Sequence, residues 1–511
     1  MMAGKRWSAF DEFGVNETID HLKTEIQDLY CSDEIPWVVG YSGGKDSTAV
    51  LQLVWLSLAD LPASKRHKTV HVISTDTLVE NPVVASWVSH SLDNINKASE
   101  EGELPFIAHR LTPKVENTFW VNLLGKGYPA PRPKFRWCTE RMKISPSHDF
   151  ISSVVQKSGE AILVLGTRKA ESSLRASNMK RHEKERTRGR LSPNAGLANS
   201  FIFSPIEEWT NDDVWLFLMQ VKNPWGYNNK DLLTMYQGAT ADGECPLVVD
   251  TNTPSCGDSR FGCWVCTLVE KDKSMEAMIL NDQEKEWMEP LLDLRNEIDF
   301  RGADGKPTDH DLRDFRRMNG NVQLYQNKDG EFKHIPGPYL QHVREKWLKQ
   351  LIEAQQAARE LGPDSVADLE LITLAELEEI RRVWVIEKHE LEDNLPRIYE
   401  AATGTPYPGR PLDDNFVFGR EELDVLRDIC GEDGLHFELA RELLAVEKRY
   451  RTALRRGGIT KSIEKAFERN FYEDSNDAID WAVRRKDFQA SMNLEDLGTE
   501  ESPEGEEAAI K

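Results

Sequence analysis

The chain has 511 residues, of which 30% are charged and 39% are hydrophobic, and its formal net charge is −23 at pH 7. These figures fit a globular, soluble protein of about two to four domains. No run of about 18 apolar residues is present and the first residues lack a secretory apolar core, so we expect a cytoplasmic protein without a membrane span. The negative charge excludes steering of the whole molecule toward nucleic acid, which would need a local basic surface or partner subunits.

Hydrophobic periodicity in the first part of the chain alternates between helix and strand. Apolar residues at helical spacing predict a helix at 15–33, and the apolar run at 35–41 predicts a buried strand. The elements predicted next, in chain order, are a helix at 48–61, a strand at 69–74, a helix at 81–98 and a strand at 161–165. This alternation predicts an α/β fold, with a parallel sheet and helices on both faces.

The rest of the chain divides by composition. Residues 225–266 are rich in loops, residues 270–360 are mixed with a helix from about Tyr339, and residues 362–490 are charged and helical. From Leu494 onward, seven acidic residues against one lysine predict a disordered tail. We therefore predict an N-terminal helix, an α/β domain, a cysteine module, a mixed segment, a helical domain and an acidic tail, at 1–35, 36–224, 225–290, 291–361, 362–493 and 494–511.

The strongest signal is a glycine loop between the first predicted strand and the next helix, which reads Ser42-Gly43-Gly44-Lys45-Asp46-Ser47. Adjacent glycines let backbone N–H groups approach an anion, and the helix that begins near Asp46 adds its N-terminal N–H groups. The loop is not a Walker motif, because Val39 stands where the first glycine is required and Asp46 follows the lysine. We interpret the loop as a phosphate site, the alternative being a Gly-Gly turn that only begins a helix.

Two further segments follow predicted strands, at whose carboxyl ends parallel sheets bind ligands. Asp76 is a candidate to orient Mg²⁺ or a ribose hydroxyl, although capping of a turn is an equal alternative. Arg168 and Arg175 lie in residues 168–190, which hold nine Lys or Arg against three Glu. Because guanidinium groups bind phosphates bidentately, we expect both arginines to hold triphosphate or nucleic acid. For residues 180–190 a solvated surface is an equal alternative.

The seven cysteines are an odd number and do not favour a disulfide framework. Four of them have the spacing C-x10-C-x6-C-x2-C and predict a metal site, and they are Cys245, Cys256, Cys263 and Cys266. Four thiolates suit one Zn²⁺ ion or one [4Fe–4S] cluster, and the spacing does not decide between them. Cys138 lies near Arg136, Arg141 and Lys143, which predicts a lowered thiol pKa and a persulfide carrier; a structural cysteine is the alternative.

These motifs also resemble known families. The loop with Tyr41 before it resembles the PP-loop of the ATP-pyrophosphatase superfamily. The segments RWCT at 136–139, GTRK at 166–169 and DVW at 213–215 resemble its phosphoadenylyl-sulfate reductase-like branch. The whole layout, with the four cysteines and a long helical C-terminal region, resembles the DndC family, the sulfurtransferases of bacterial DNA phosphorothioation. Adenylyl-sulfate reductases carry an adjacent Cys-Cys pair that this chain lacks.

The resemblance implies ATP pyrophosphatase activity with Mg²⁺, a [4Fe–4S] cluster on the four cysteines, a cysteine desulfurase as sulfur donor, and DNA bound with partner subunits. The catalytic residues that it implies are Lys45, Asp46, Cys138 and Arg168. The nucleotide-binding residues that it implies are Tyr41, Ser42, Gly43, Gly44, Lys45, Asp46, Ser47, Asp76 and Arg175.

Three other functions remain open at this point. A sulfonucleotide reductase would be shorter and end in a nucleophilic cysteine, whereas this tail has none. A PP-loop enzyme that thiolates tRNA would carry more basic accessory domains. A non-catalytic scaffold would not need the intact loop. In the C-terminal region, the basic residues 448–456 are a candidate contact surface.

Overall fold

The computed structural model describes residues 7–187, 189–239, 261–302, 305–412, 420–451 and 457–497. The strands of its main sheet are β1 (Trp37–Gly40), β2 (Val70–Thr75), β3 (Phe106–Leu111), β4 (Ala161–Val164), β5 (Ser192–Pro193) and β6 (Ser200–Phe203). They lie in the order β3-β2-β1-β4-β6-β5, and every neighbouring pair is parallel except β5 with β6. The predicted α/β fold is confirmed, whereas β3, β5 and β6 were not predicted.

Helices connect these strands and continue beyond them. Those of the first half are α1 (Gly14–Cys31), α2 (Lys45–Ala59), α3 (Pro82–Glu101), α4 (Ser145–Ser158), α5 (Ser173–Glu183), α6 (Asn211–Gln220) and α7 (Asn229–Gly238). Those of the second half are α8 (Lys273–Asn281), α9 (Glu289–Ile298), α10 (Gln341–Leu361), α11 (Leu374–Arg382), α12 (Leu395–Thr403), α13 (Arg420–Cys430), α14 (Gly434–Arg451), α15 (Ile459–Arg469) and α16 (Ser475–Leu497). A short hairpin, β7 (Leu324–Gln326) with β8 (Phe332–His334), lies between α9 and α10.

Alternation along β1 explains why both faces of the sheet are covered. Trp37 and Val39 point to one side and belong to the hydrophobic cluster that contains α2, whereas Val38 points to the other side and packs with Ile151 of α4. Helix α2 is apolar almost all round because it lies between the sheet and helices α1 and α6. Helices therefore cover both faces of the sheet.

A second hydrophobic cluster crosses the predicted domain boundaries. The segment around Trp120 and Trp137, which precedes α4, packs with Trp264 and with helices α8 to α12. This packing brings Cys138 toward the second half of the chain, although the sequence places it inside the α/β domain. The turn that holds Cys263 and Cys266 lies where the two hydrophobic clusters meet, because Phe261 packs against both.

The C-terminal region is helical, as predicted. Residues 494–497 form the last turn of α16, so the disordered tail predicted from Leu494 begins too early; residues 498–511 lie outside the described part of the chain. Cys245 and Cys256 also lie outside it. None of the helices in the described ranges combines the length and the apolar character needed to cross a membrane.

Candidate nucleotide and thiol site

The glycine loop joins β1 to α2 at the carboxyl edge of the sheet. Gly43 has a φ of +70°, and a Cβ there would lie 2.5 Å from Val88 Cγ2 on α3, so the position requires glycine. Ser47 Oγ accepts from Ser42 N (3.2 Å) and donates to Gly44 O (3.1 Å). These bonds hold the loop over the N-terminus of α2, where the helix dipole favours an anion.

Asp46 lies between two cations that the sequence analysis treated separately. The guanidinium of Arg168, only 3% exposed as a residue, donates from Nε to Asp46 Oδ1 (2.8 Å) and from Nη1 to Trp209 O (3.3 Å). Lys45 Nζ lies 3.5 Å from Asp46 Oδ2. Gly166, at the end of β4, packs so closely that a Cβ there would lie 2.8 Å from the Asp46 carbonyl oxygen. The loop is therefore fixed by charge and by close contact with β4.

Two tyrosines support the loop from different sides. Tyr236 of α7 places its ring 5.4 Å from Lys45 Nζ, a cation–π distance, and its hydroxyl would lie 3.3 Å from a Cβ at Gly44. Tyr41 is buried, its hydroxyl lies 2.7 Å from Ser91 Oγ, and burial raises its pKa. The side chain of Tyr41 thus packs in the core, and only its backbone is left for the predicted role in nucleotide binding.

Asp76 follows β2 and is held by two donors. Its carboxylate accepts from Arg110 Nε (2.9 Å) and from the backbone N of Leu78 (2.8 Å), a residue with φ of +63°. The capping interaction that the sequence left open is therefore present. The side chain of Arg175, in contrast, pairs with Glu171 four residues earlier and is 44% exposed. Neither contact decides the predicted role in nucleotide binding.

The cysteine turn approaches the sheet directly after Asp76. Cys263 Sγ lies 3.3 Å from Thr77 Oγ1, and a short antiparallel bridge pairs Glu80 with Cys263. The chain is tied again where Trp264 N donates to Val79 O (3.0 Å). The cysteine turn therefore lies at the carboxyl end of β2, on the same edge of the sheet as the glycine loop.

Three cysteines and one lysine converge at this turn. We call them the thiol cluster, and its members are Cys138, Lys143, Cys263 and Cys266. Lys143 Nζ lies 3.8 Å from Glu80 Oε1, and its pKa is raised first by the charge of Cys263 and then by those of Glu80 and the other two cysteines. This convergence could not be predicted from the sequence, because 125 residues separate Cys138 from Cys263.

The thiol pKa values differ from the sequence expectation. Burial raises the pKa of Cys263 to about 11 and also raises the pKa of Cys138, which the neighbouring Cys266 raises further. The predicted lowering is therefore wrong for Cys138, because burial is the largest influence on its pKa. Arg141 is directed elsewhere, donating to Asn122 Oδ1 (2.7 Å) and to the Tyr128 hydroxyl (3.0 Å).

A buried arginine that the sequence analysis missed fixes the cysteine turn. Arg295 of α9 is 1% exposed and donates to the carbonyl oxygens of Cys266 (2.9 Å) and Glu270 (3.0 Å). It also pairs with Asp299, 3.1 Å away and one helical turn later. The only sequence feature that could have indicated this arginine is its i, i+4 spacing to Asp299. Such spacing is common on exposed helices, so it does not indicate a buried ion pair.

The family comparison can now be set beside this geometry. The sequence model of the phosphoadenosine phosphosulfate reductase domain matches residues 36–268. This segment forms a phosphoadenosine phosphosulfate reductase-like domain. The reductase-like domain contains the sheet, the glycine loop and Arg168, and it ends two residues after Cys266. The broader superfamily expected from the sequence is thereby confirmed for this part of the chain.

Known relatives are distant from the chain. An uncharacterised protein of Methanocaldococcus jannaschii is 26% identical over 245 residues, which cover 48% of this chain and only 39% of that protein. Among solved structures, the chain is similar to a phosphoadenylyl-sulfate reductase of Candida auris in a phosphate complex. The two are 14% identical, the match covers 42% of this chain and 90% of that chain, and the TM-score is 0.26. The chain is also similar to the structure of the U34-tRNA thiolase NcsA of Methanococcus maripaludis, which was solved with its [4Fe-4S] cluster. The two are 14% identical, the match covers 56% of this chain and 78% of that chain, and the TM-score is 0.28. Neither likeness decides an activity.

The basic segment that follows β4 in the reductase-like domain is largely paired within the protein. The pairs are Lys169 with Glu183 and Glu208, Arg175 with Glu171, Arg186 with Glu207, and Arg190 with Glu25. Glu183, Glu207 and Glu208 bring carboxylate oxygens within 4.8 Å of one another, but Lys169 already supplies the positive charge there. The excess charge of residues 168–190 is thus much reduced.

Of the second basic stretch, residues 448–456, the last five residues (452–456) lie outside the described chain. Arg449 donates to Ile386 O (2.6 Å).

Proposed function

We propose that this chain cleaves ATP between its α and β phosphates to activate an oxygen that sulfur then replaces, and that the acceptor is a backbone phosphate of DNA. One observation carries the proposal: the glycine loop with its Asp46–Arg168 pair and the thiol cluster lie on the same edge of one sheet, at the ends of β1 and β2. The reductase-like domain and the resemblance to the DndC family support it. The DNA acceptor rests on that resemblance.

The first step uses the cations of the loop. An oxygen of the acceptor attacks the α phosphorus, the new P–O bond forms, and the bond to the α–β bridging oxygen breaks. Pyrophosphate leaves with the electron pair of that bond. Lys45 and Arg168 stabilise the charge on the leaving group. Asp46 acts as a positioning residue, because its two carboxylate oxygens face Arg168 Nε and Lys45 Nζ.

The second step delivers sulfur from the thiol cluster. The terminal sulfur of a persulfide on Cys138 attacks the activated phosphorus, and AMP leaves with the oxygen that is replaced. An external thiol then cleaves the S–S bond, so that sulfur stays on the acceptor and a mixed disulfide forms at Cys138. A second external thiol reduces this disulfide. A cysteine desulfurase would restore the persulfide.

The residues present are compatible with the implied cluster but offer little to a magnesium ion. Cys263 and Cys266 would hold a [4Fe–4S] cluster, which would supply iron able to bind a sulfur atom; their turn is fixed by Arg295, as a ligand turn requires. The other two predicted ligands lie outside the described residues. Mg²⁺ stays a prediction, since the carboxylates of Asp46 and Asp76 are both held by arginines.

The proposal is tested with anaerobically purified protein, ATP, a DNA duplex, cysteine and a cysteine desulfurase. Release of AMP and pyrophosphate together with phosphorothioate linkages, detected by mass spectrometry after nuclease digestion, is the expected result. Asp46→Ala should abolish both products. AMP release without sulfur in DNA would reject the DNA acceptor. Two parallel reactions would then identify the alternatives. Sulfite released from phosphoadenylyl sulfate would indicate sulfonucleotide reduction, and thiolated nucleosides formed from tRNA would indicate tRNA thiolation.

A further inference from the structure

A cavity that shares no lining residue with the glycine loop lies between the hairpin segment before α10 and the C-terminal helices. Its volume is about 280 Å³, near the lower end for ligand pockets. Six cationic side chains and five carboxylates line it, together with His389. A cavity of this size admits a small ligand and excludes a folded partner.

Two of the cationic side chains that line the cavity have no carboxylate partner among the described residues. The carboxylates all have arginine partners: Asp314 with Arg316, Glu390 with Arg344, Glu438 with Arg441, Glu442 with Arg469, and Glu387 with Arg382 outside the cavity. Among the described residues, Arg317 and Lys388 form no ion pair with any carboxylate. Arg317 donates only to a backbone carbonyl, that of Pro336 (2.9 Å).

Electrostatics around these two cations favours an anion. Burial, followed by the charge of Arg344, lowers the pKa of Lys388 to about 8, against the charges of Glu390, Asp314 and Glu387, which raise it, so the ammonium is still protonated at pH 7. Burial and three further arginines lower the pKa of His389 to about 4, so its ring is neutral there. Since no carboxylate in the described part of the chain lies within ion-pair distance of Lys388, a bound anion would compensate further for the desolvation of its ammonium.

The backbone around the cavity is held in an unfavourable conformation. His389 has a φ of +59°, which is rare for a residue with a side chain. Gly320, which also lines the cavity, has a φ of +87°, and a Cβ there would lie 2.1 Å from Arg469 Cγ, so glycine gives Arg469 its path into the lining.

We propose that the cavity binds the phosphate group of a small ligand, held by Arg317 and Lys388 as the cations that lack a carboxylate partner. Arginine offers parallel N–H donors that match two phosphate oxygens, and lysine adds a point charge. The phosphate could belong to free pyrophosphate or to the end of a nucleic acid strand. This inference does not depend on the proposed function, since the cavity shares no residue with the glycine loop or the thiol cluster.

The test measures amide hydrogen exchange of the unmodified full chain with and without inorganic pyrophosphate. Protection of peptides that cover 314–320 and 387–390 is expected, and it should persist in Asp46→Asn, which changes the glycine loop and its pair with Arg168 but no residue that lines the cavity. Absence of protection there with both pyrophosphate and a 5′-phosphorylated oligonucleotide overturns the proposal. A 5′-phosphorylated oligonucleotide and its unphosphorylated form identify the source: protection by the former alone indicates a terminal phosphate, and protection by pyrophosphate alone indicates a free anion.

Variants give an independent measurement by calorimetric titration with pyrophosphate. Lys388→Gln and Arg317→Gln should each weaken binding to this site by about tenfold or more, because each removes a charge-assisted contact. Lys388→Arg keeps the charge and should retain binding. Lys349→Gln, at a half-exposed lysine on α10, is the matched control. Wild-type affinity in both glutamine variants would contradict the assignment.

Discussion

Replacing Gly166 by alanine tests whether the position of the glycine loop controls ATP cleavage. Gly166 lies beyond the end of β4, and it does not have the positive φ that would make alanine strained by itself. A Cβ there would lie 2.8 Å from the carbonyl carbon and oxygen of Asp46 and 3.1 Å from Ser47 N, where ordinary contact begins at 3.4 Å. The loop must therefore retreat by about 0.6 Å, because backbone cannot rotate away as a flexible side chain does.

This displacement has two separable consequences. Overpacking by one methyl group costs about 1–3 kcal/mol of unfolding free energy, which lowers the melting temperature without unfolding the protein at 25 °C. A misplacement approaching 1 Å at reacting groups costs on the order of a hundredfold in rate. We expect AMP formation to fall by that order in Gly166→Ala, while circular dichroism stays that of the wild type.

The matched control is Gly434→Ala at the start of α14, where a Cβ would meet no atom within 4 Å and φ is not positive. It should keep wild-type AMP formation. The reasoning is refuted if Gly166→Ala forms AMP at the wild-type rate, since the close contact between β4 and Asp46 would then be irrelevant to the reaction.

Three other substitutions probe the remaining parts of the site. Asp46→Asn leaves the buried Arg168 guanidinium without its carboxylate, so the melting temperature and the rate of AMP formation should both fall. In a double-mutant cycle, the loss of stability in Asp46→Asn with Arg168→Gln should be smaller than the sum of the losses in the two single variants. Cys138→Ser should abolish sulfur incorporation but retain pyrophosphate release; equal loss of both would assign Cys138 to the nucleotide. Arg295→Met removes the donors to Cys266 O and Glu270 O. The variant should retain less iron after desalting, while its ATP affinity measured by calorimetry stays unchanged. Full iron retention would show that the cysteine turn does not need Arg295.

The sheet and the loop could be predicted because their signals are local. The apolar run of β1, the glycines after it and the apolar α2 are contiguous in sequence. The helix begins at Lys45, one residue before the start near Asp46 expected from the loop and three residues before the range 48–61 predicted from periodicity. β6 was missed because only Ser200 and Phe203 at its two ends are buried, and β3 because only Phe106 of its residues is buried, so neither shows a clear period.

The site itself depends on contacts between distant segments, which periodicity does not encode. Asp46 and Arg168 were each predicted as site residues, but their ion pair spans 122 residues and follows from the parallel pairing of β1 with β4. Cys138 comes close enough to Cys266 for the two to interact electrostatically, because the segment around Trp120 and Trp137 packs with the second half of the chain. The charge run around Cys138 suggested an activated thiol, whereas its burial, which sequence does not show, reverses the direction of the pKa shift.

The central claim is that the glycine loop presents ATP for attack at the α phosphorus. The most direct measurement incubates anaerobic, metal-replete protein with α-³²P-labelled ATP, DNA and the sulfur source, and separates the labelled products. Labelled AMP that appears with wild type and disappears with Ser47→Ala is the predicted result. Labelled ADP in place of AMP, or AMP that forms equally in Ser47→Ala, would contradict the account.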